Sequence, residues 1–234
     1  MAAKTDTQMK NDELTINERL SEFIRKNRRF FLIGLIAIAV ILTGFIIFNT
    51  VSGHIQSKAL TQVDTFERKY NELKTYAGSD EPEAVIKQVE IIVLLTELEL
   101  FANKTSGFAA ARAHCLKADI YAGQKNWAKA EESWTNAAKT AGKSYLVPFS
   151  IFNAAVAAEE QGNTEAAIGY YTSALDYGGS FPSAARAQFS VGRLEESRNN
   201  KDAALEAYRN LLRMWPTDPV WPNLAQSRIL VLSN

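Results

Sequence analysis

The residues that could form a catalytic pair are His114 and Cys115, a base directly followed by a nucleophile. An imidazole activates a thiol only when the two side chains come within hydrogen-bond distance. Adjacent residues on a helix point about 100° apart and do not face each other. The sequence therefore predicts that both residues serve packing, and it predicts no enzymatic activity.

The sequence also gives no sign of a metal site, a hydrolase site, a nucleotide site or a nucleic-acid-binding surface. One Cys and two His, without HExxH or CxxC, do not make a zinc site, and the chain contains no P-loop, GxSxG or GxGxxG motif. The carboxylates stand at helical surface spacing, which is typical of solvated faces. The 26 basic residues balance 26 acidic ones, which argues against nucleic-acid binding. We expect no cofactor, metal or small-molecule substrate.

A membrane segment is the first positive signal. Residues 30–48 read FFLIGLIAIAVILTGFIIF, and no Asp, Glu, Lys or Arg occurs between Phe30 and Ser57. About 20 apolar residues in a helix span the hydrocarbon layer. The run is too long for a cleaved signal peptide, and no small-x-small cleavage site follows it. The sequence predicts an uncleaved transmembrane helix over residues 30–51.

The charges that flank this segment predict its orientation. Its N-terminal side carries four cations close together: Arg25, Lys26, Arg28 and Arg29. Its C-terminal side offers only His54 and Lys58 before the first acid. Because cationic flanks stay in the cytoplasm, the prediction is a single-pass protein of a bacterial inner membrane, with a cytoplasmic N-terminus and a periplasmic C-terminal domain.

The tail before the membrane predicts a short amphipathic helix. Residues 15–18, TINE, form a capping box. Four apolar residues then share one helical face: Ile16, Leu20, Phe23 and Ile24. This helix either lies along the lipid surface as an extension of the anchor or docks a membrane partner.

Beyond the membrane the pattern is helical throughout. Apolar residues at helical spacing predict a helix over 56–77, which either continues the anchor as a stalk or folds back. The motif at 79–82, SDEP, starts another helix. That helix contains Ile91–Leu95, is apolar all round and is too short to span a membrane, so we expect it to be buried.

A repeat of 37 residues follows. It is carried by equivalent alanines, by aromatic residues four positions later and by small residues twelve positions earlier: Ala130, Ala167 and Ala204; Trp134, Tyr171 and Tyr208; Ala118, Ala155 and Gly192. Residues 161–163 and 198–200 are tight turns rich in Gly and Asn, which tolerate left-handed backbone. Each repeat is thus a pair of helices in close contact.

These residues resemble the tetratricopeptide repeat (TPR) family, whose usual period is about 34. The likeness covers residues 111–216, ends in Trp215-Pro216, and places the extra residues in the loops at 142–144 and 178–180. It departs from the family at Lys117, which replaces an apolar residue, and at Thr164 and Lys201, which replace an aromatic one. The implied fold class is all-α: a transmembrane helix followed by a solenoid of TPR-like helical hairpins.

The predicted organisation has five parts. They are a cytoplasmic tail (1–29), a transmembrane helix (30–51), a helical stalk with an atypical first helix pair (52–105), three TPR-like repeats (106–216) and a C-terminal capping region (217–234) whose helix covers 223–232. This architecture is similar to YfgM-type ancillary proteins of the Sec translocon, which partner a periplasmic chaperone. It also resembles periplasmic TPR scaffolds of envelope machines, including spirochaete flagellar-motor collars.

The resemblance implies that the first helices of the pairs line a groove that binds protein partners. The residues it places there are Arg112, Cys115, Asp119, Phe149, Phe152, Val156, Glu159, Arg186, Phe189, Arg193 and Glu196. The Phe residues either form an aromatic floor or pack between the helices. Cys115 and Asp119 replace the Lys and Asn of the carboxylate-clamp type, so no such clamp is expected.

A second candidate edge contains Trp215 and Trp221, in a stiff loop that either covers the end of the solenoid or meets a partner. The function implied is a membrane-anchored interaction module. It would assist a translocon as a chaperone partner, with translocon or chaperone subunits as partners, or scaffold an envelope machine such as a flagellar motor.

Overall fold

The computed structural model describes residues 16–74 and 82–234, and for residues 16, 17, 82–84 and 180 it describes the backbone alone. The described chain forms ten α-helices and no strand, which confirms the all-α prediction. They are α1 (Ile16–Lys26), α2 (Arg28–Lys74), α3 (Pro82–Lys104), α4 (Gly107–Gly123), α5 (Trp127–Thr140), α6 (Leu146–Glu160), α7 (Thr164–Leu175), α8 (Ala184–Ser197), α9 (Lys201–Met214) and α10 (Trp221–Ser233). A 3₁₀ turn, Gly178–Ser180, lies between α7 and α8.

The chain divides into two compact units, residues 1–57 and 58–234. In the first, α1 forms as predicted, although Thr15 of the capping box lies outside the described residues. Phe23 packs edge-on against Phe31, with ring centroids 6.0 Å apart. The most apolar 18-residue window of α2 has a mean hydropathy of 3.0 and no buried residue. By length and composition, this helix could cross a membrane.

The second unit begins with the last part of α2. Val63, Phe66 and Leu73 are buried there in one cluster with residues of α3 and α4 such as Leu98 and Ala113. Lys69 Nζ and Glu97 Oε2, 3.1 Å apart, join α2 to α3. Residues 58–74 therefore pack against α3 and α4 while they continue the same helix that contains the apolar stretch, so the two alternatives that the sequence left open do not exclude each other.

Helix α3 differs from its prediction. Ile91, Leu94 and Leu98 are buried, but the opposite side, including Val89 and Ile92, is exposed. The expectation of a helix buried all round was wrong. Within the described residues, α3 has neighbours on one side only, where it packs against the end of α2 and against α4.

The three repeats are the helix pairs α4–α5, α6–α7 and α8–α9. The three repeat alanines are completely buried, and the aromatic residues that follow them are at most 4% exposed. At Gly192, an added Cβ would lie 2.6–2.9 Å from three ring atoms of Tyr208. The predicted contact between a small residue on the first helix and an aromatic residue on the second is present there.

The turns inside the pairs repeat as well. Lys125, Gly162 and Asn199, each 37 residues apart, have positive φ angles of 57°, 76° and 60°. The next residue caps the following helix in two cases: Asn126 Oδ1 accepts a hydrogen bond from Lys129 N, and Asn163 Oδ1 accepts one from Ala166 N. The turn is thus built from one left-handed residue followed by Asn.

The last helix starts earlier than predicted. Asp218 Oδ1 accepts hydrogen bonds from the backbone N–H groups of Val220 and Trp221, at 2.9 and 3.1 Å. Trp221 therefore begins α10 instead of belonging to the preceding loop. Its ring packs on Phe189, with centroids 5.3 Å apart, and Ala225 of α10 is completely buried. Trp221 covers the end of the repeats.

Candidate functional site

All eleven predicted groove residues lie on α4, α6 and α8, the first helices of the three pairs. They fall into rows at the repeat period, so that Arg112, Phe149 and Arg186 are equivalent, as are Cys115, Phe152 and Phe189. The rows differ greatly in exposure, and this difference decides which side chains a partner could touch.

The row of Cys115, Phe152 and Phe189 lies largely in the hydrophobic core. Cys115 and Phe152 are buried, and Phe189 is half-buried. Phe152 lies between Tyr171 and Phe181, with centroids 5.3 and 5.7 Å away. Of the two alternatives that the sequence left open, Phe152 follows the second: it packs between the helices instead of lying on an open aromatic floor.

The row of Arg112, Phe149 and Arg186 is more exposed to solvent. Phe149 is 43% exposed and meets Trp134 edge-on, with centroids 5.5 Å apart. It lies one turn before Phe152 on α6. The exposed Arg186 places its guanidinium 5.2 Å from the centre of the Phe152 ring, a cation–π contact. Phe149 and Arg186 thus present an exposed aromatic ring and a cation near the buried Phe152.

The equivalent residues Glu159 and Glu196 form hydrogen bonds and ion pairs to the helices that follow them in the chain. Glu159 accepts hydrogen bonds from Arg193 Nη2 at 2.6 Å and from the Tyr171 hydroxyl at 3.2 Å. Glu196 accepts one from the Tyr208 hydroxyl at 3.1 Å and pairs with Arg228 of α10. Both carboxylates are therefore engaged inside the fold. The Arg228 bond is the main reason that the pKa of Glu196 is lowered.

A cavity of about 690 Å³ lies beside the first repeat. It is lined by α4, by the last two turns of α2 and by the loop that leads into α6: Glu67, Tyr70, Asn71, Lys74, Phe108, Arg112, Cys115, Leu116, Asp119, Gly123, Tyr145 and Leu146. Arg112 is fixed at its wall by Asp64 Oδ1 at 2.8 Å and Glu67 Oε1 at 2.7 Å. The guanidinium of Arg112 is thus held in place by two ion pairs. Asp119, in contrast, is exposed to solvent.

Cys115 is unsuited to nucleophilic chemistry. Burial raises the pKa of its thiol to about 12, and its Sγ lies 3.6 Å from Ser150 Oγ. Burial lowers the pKa of His114. A neutral thiol is a poor nucleophile. In the part of the chain that the structure describes, no group of three His, Cys, Asp or Glu residues could hold a metal ion.

Asp119→Asn is expected to raise the melting temperature at pH 8 and to leave it unchanged at pH 4. The carboxyl of Asp119 is partly desolvated beside the cavity, although the residue as a whole is exposed, and this raises its pKa to about 6; Lys74 opposes this shift and Glu67 adds to it. A carboxyl with a raised native pKa binds more protons folded than unfolded, so the parent loses stability as pH rises from about 4 to about 6.

Paired thermal melts of the two proteins across this range would measure the difference. Because Asp119 is exposed, the effect should be small. A difference of equal size at pH 4 and pH 8 would contradict the assignment of the shift to Asp119.

Several residues of the cavity escaped the sequence-based reasoning. Glu67, Tyr70 and Lys74 come from α2, and the exposed Tyr145 precedes α6. The spacing of apolar residues had predicted a helix over 56–77. It did not show which helix the charged residues of this segment would face. Only contact with α4 brings these side chains beside Arg112.

Comparison with known proteins finds similarity to one repeat family in the second unit. Residues 152–219 match the tetratricopeptide repeat family. The match begins inside α6 and runs through α7, α8 and α9 into the loop that follows them. A TPR repeat-containing protein of Treponema pallidum (strain Nichols) is 37% identical over 142 residues, 60% of this chain and 59% of that protein. The matched region thus spans about three-fifths of the relative.

These findings support TPR-like repeats as the fold of the second unit. TPR repeats are protein–protein interaction modules and are generally not enzymes. Of the predicted groove residues, those from Phe152 to Glu196 lie inside the matched segment, whereas Arg112, Cys115, Asp119 and Phe149 precede it.

Proposed function

We propose that this protein is a membrane-anchored TPR module that binds polypeptides in the periplasm beside a membrane machine. One observation carries the proposal: a long, apolar and wholly unburied helical stretch occurs on the same chain as TPR-like repeats. A side chain buried in protein needs no lipid, whereas about 20 exposed apolar residues in succession match the length of helix that spans the hydrocarbon layer of a bilayer. The charges before the stretch support a cytoplasmic N-terminus.

The binding surface we propose is the open part of the groove together with the cavity beside it. Phe149 and Arg186 supply exposed apolar and cationic contacts, the side-chain types that dominate interface energies. At the cavity, the exposed Tyr145 adds a further aromatic contact beside Arg112, whose charge is already paired with Asp64 and Glu67. Membrane attachment raises the local concentration of the module near any partner in the same bilayer, so individually weak contacts suffice.

The partner class follows from the resemblance to YfgM-type proteins, and the leading proposal is a translocon-associated chaperone partner. Such a role requires transient binding of many unfolded chains, which suits a surface of adaptable aromatic and Arg contacts without a carboxylate clamp. The alternative is a scaffold of an envelope complex such as a flagellar motor, which requires a few fixed partners.

Photo-crosslinking in cells tests this proposal, with a photoreactive residue in place of Phe149. Phe149 is preferable to Phe152 because its ring is exposed. The matched control carries the same residue at Arg209, which is exposed on α9, a second helix of a pair. Many secreted proteins together with translocon subunits would support the chaperone role, whereas one or two fixed partners would support a scaffold. Equal adducts from both positions would contradict a groove site.

The topology can be tested separately with cysteine probes in a Cys115→Ala background. Glu22→Cys is expected to resist a membrane-impermeant maleimide in intact spheroplasts, and Asn234→Cys is expected to react. Permeabilised cells are the control, in which both should react. Labelling of Glu22→Cys in intact cells would reverse the proposed orientation.

A further inference from the structure

A heptad pattern runs along the exposed side of α3. Counted from Ile86, the first and fourth positions of each heptad, a and d, are uncharged up to Leu100. We call these residues the α3 seam, and its members are Ile86, Val89, Val93, Thr96 and Leu100. The four large apolar members are between 47% and 59% exposed. The Thr96 hydroxyl donates to the carbonyl of Ile92 at 3.1 Å, so it adds no unpaired donor to the seam.

The seam faces away from α2 and α4. Ile91, Leu94 and Leu98, which are buried against these two helices, are centred about 150° from it on a helix of 3.6 residues per turn. The exposed Val85 and Ile92 widen the apolar surface along one edge, at heptad position g. A heptad repeat that faces solvent is typical of a helix that pairs with a second helix.

The charged residues of α3 lie outside the seam. Glu97 pairs with Lys69 of α2, and Glu99 pairs with the buried Lys117 of α4. Two seams can therefore meet without an unpaired charge between them, which would be costly to bury. A lipid surface fits less well, because acidic residues border the seam and anionic headgroups attract Lys and Arg.

The exposed apolar area on this side of α3 matches that of an interface. The seam together with Val85 and Ile92 has six large apolar side chains. At roughly 100 Å² each, they make a patch of about 600 Å², at the upper end of what monomers expose. Two such patches together would bury about 1,200 Å², which reaches the range of stable protein–protein interfaces.

Helix α3 runs antiparallel to the last part of α2. Lys69 Nζ lies 3.1 Å from Glu97 Oε2. The ring of Phe66, earlier on α2, packs against that of Phe101, later on α3, with centroids 5.6 Å apart. When two copies are related by a two-fold axis along α3, their α2 helices run in the same direction. The apolar stretches in α2 then point the same way and fit one bilayer, so the parallel direction rests on the proposed membrane anchoring.

We propose that two copies of this chain associate through parallel packing of their α3 seams. In a parallel pair each seam residue meets the same residue of the other copy, so the whole contact from Ile86 to Leu100 is uncharged. The seam is short, but contacts with α2 and α4 already order α3, and confinement to one bilayer raises the local concentration of the copies. This dimer uses none of the predicted groove residues and leaves the proposed partner site free.

Cysteine crosslinking of the full chain in unsolubilised lysate tests the proposal, in a Cys115→Ala background. Ile86→Cys and Leu100→Cys, at opposite ends of the seam, are each expected to give a covalent dimer with a short bis-maleimide. In an antiparallel pair, at least one of these two positions would be about 21 Å or more from its counterpart along the helices. Gln88→Cys, exposed on α3 but outside the seam, is the matched control and should give no dimer.

A charge placed in the middle of the seam provides the second arm. Val93→Glu, added to Ile86→Cys, is expected to reduce the dimer at least about tenfold, because it buries an unpaired carboxylate from each copy. Leu230→Glu, at an exposed apolar residue of α10, is the matched control and should leave the dimer unchanged. Circular dichroism checks that all variants fold.

The outcomes separate the seam from the proposed function. Dimer at only one end of the seam, equal dimer from Gln88→Cys, adducts with other proteins only, or a dimer that survives Val93→Glu would overturn the parallel seam. Dimer at both ends would support the seam even if the topology probes contradicted the membrane anchor, because the lysate contains every copy of the chain. Absence of dimer with the expected topology would overturn the seam alone.

Discussion

Gly192→Ala is expected to destabilise the repeat unit by about 1–3 kcal/mol, although alanine is the better helix former. The new methyl group would lie 2.6 Å from Cε1 of Tyr208. That ring is completely buried, packs on Phe189 with centroids 5.4 Å apart, and is held through its hydroxyl by Glu196. It therefore has little room to move. Thermal or urea unfolding of the full chain, followed by circular dichroism, would measure the change.

Two controls separate this clash from any general effect of alanine. Gly169 is an exposed glycine inside α7, and nothing lies within 4 Å of its added Cβ. Gly169→Ala should stabilise the unit by about 0.5–1 kcal/mol. In a Tyr208→Ala background, Gly192→Ala should also become stabilising. A destabilising Gly192→Ala in that background would show that the ring is not the cause.

Tyr171→Ala should have the larger effect, a loss of about 3–5 kcal/mol, which is a large part of a typical domain stability. Tyr171 is 2% exposed and packs edge-on against Phe152. Its removal opens a cavity between the second and third helix pairs. It also takes away the hydroxyl that donates to Glu159 at 3.2 Å.

Tyr171→Phe isolates the hydroxyl, because the ring remains in place. It should cost only about 0.5–1.5 kcal/mol, the usual net value of one hydrogen bond. Arg193 continues to pair with Glu159 in this variant. Equal losses from Tyr171→Phe and Tyr171→Ala would mean that the polar contact, and not the packing of the ring, joins the two repeats.

The repeats could be predicted from sequence because their signal is local and recurs. Ala167 and Ala204 mark close approach within one pair, and this contact involves residues near each other in the chain. Gly162 and Asn199 were recognised as turn residues by their types. Lys125 was not, since nothing in a lysine indicates a positive φ angle until its equivalence with Gly162 is considered.

Exposure within the groove could not be predicted in the same way. Phe149 and Phe152 are three residues apart on one helix, yet one is exposed and the other is buried between Tyr171 and Phe181. Both have the same residue type, and Phe181 lies in a loop outside the helical pattern. Which of them meets solvent depends on how the next helix pair crosses α6.

The environments of Lys117 and of α3 could not be predicted from the sequence either, because both depend on tertiary contacts. Lys117 departs from the family pattern, and the structure shows it buried with its ammonium paired to Glu99 of α3. Desolvation lowers the pKa of Lys117. Helix α3 in turn has the composition of a core helix, but among the described residues only one of its sides is covered. Neither property is visible until the partner helices are placed.

The order in which the helices of the second unit pack has a consequence for how it folds. From α3 to α10, each helix packs chiefly against the helices next to it in sequence. Mean sequence separation between contacting residues is then low, so little loop-closure entropy is lost before contacts form. The unit should therefore fold rapidly, with nucleation possible at any helix pair, and a defect in one repeat should first cause local opening there.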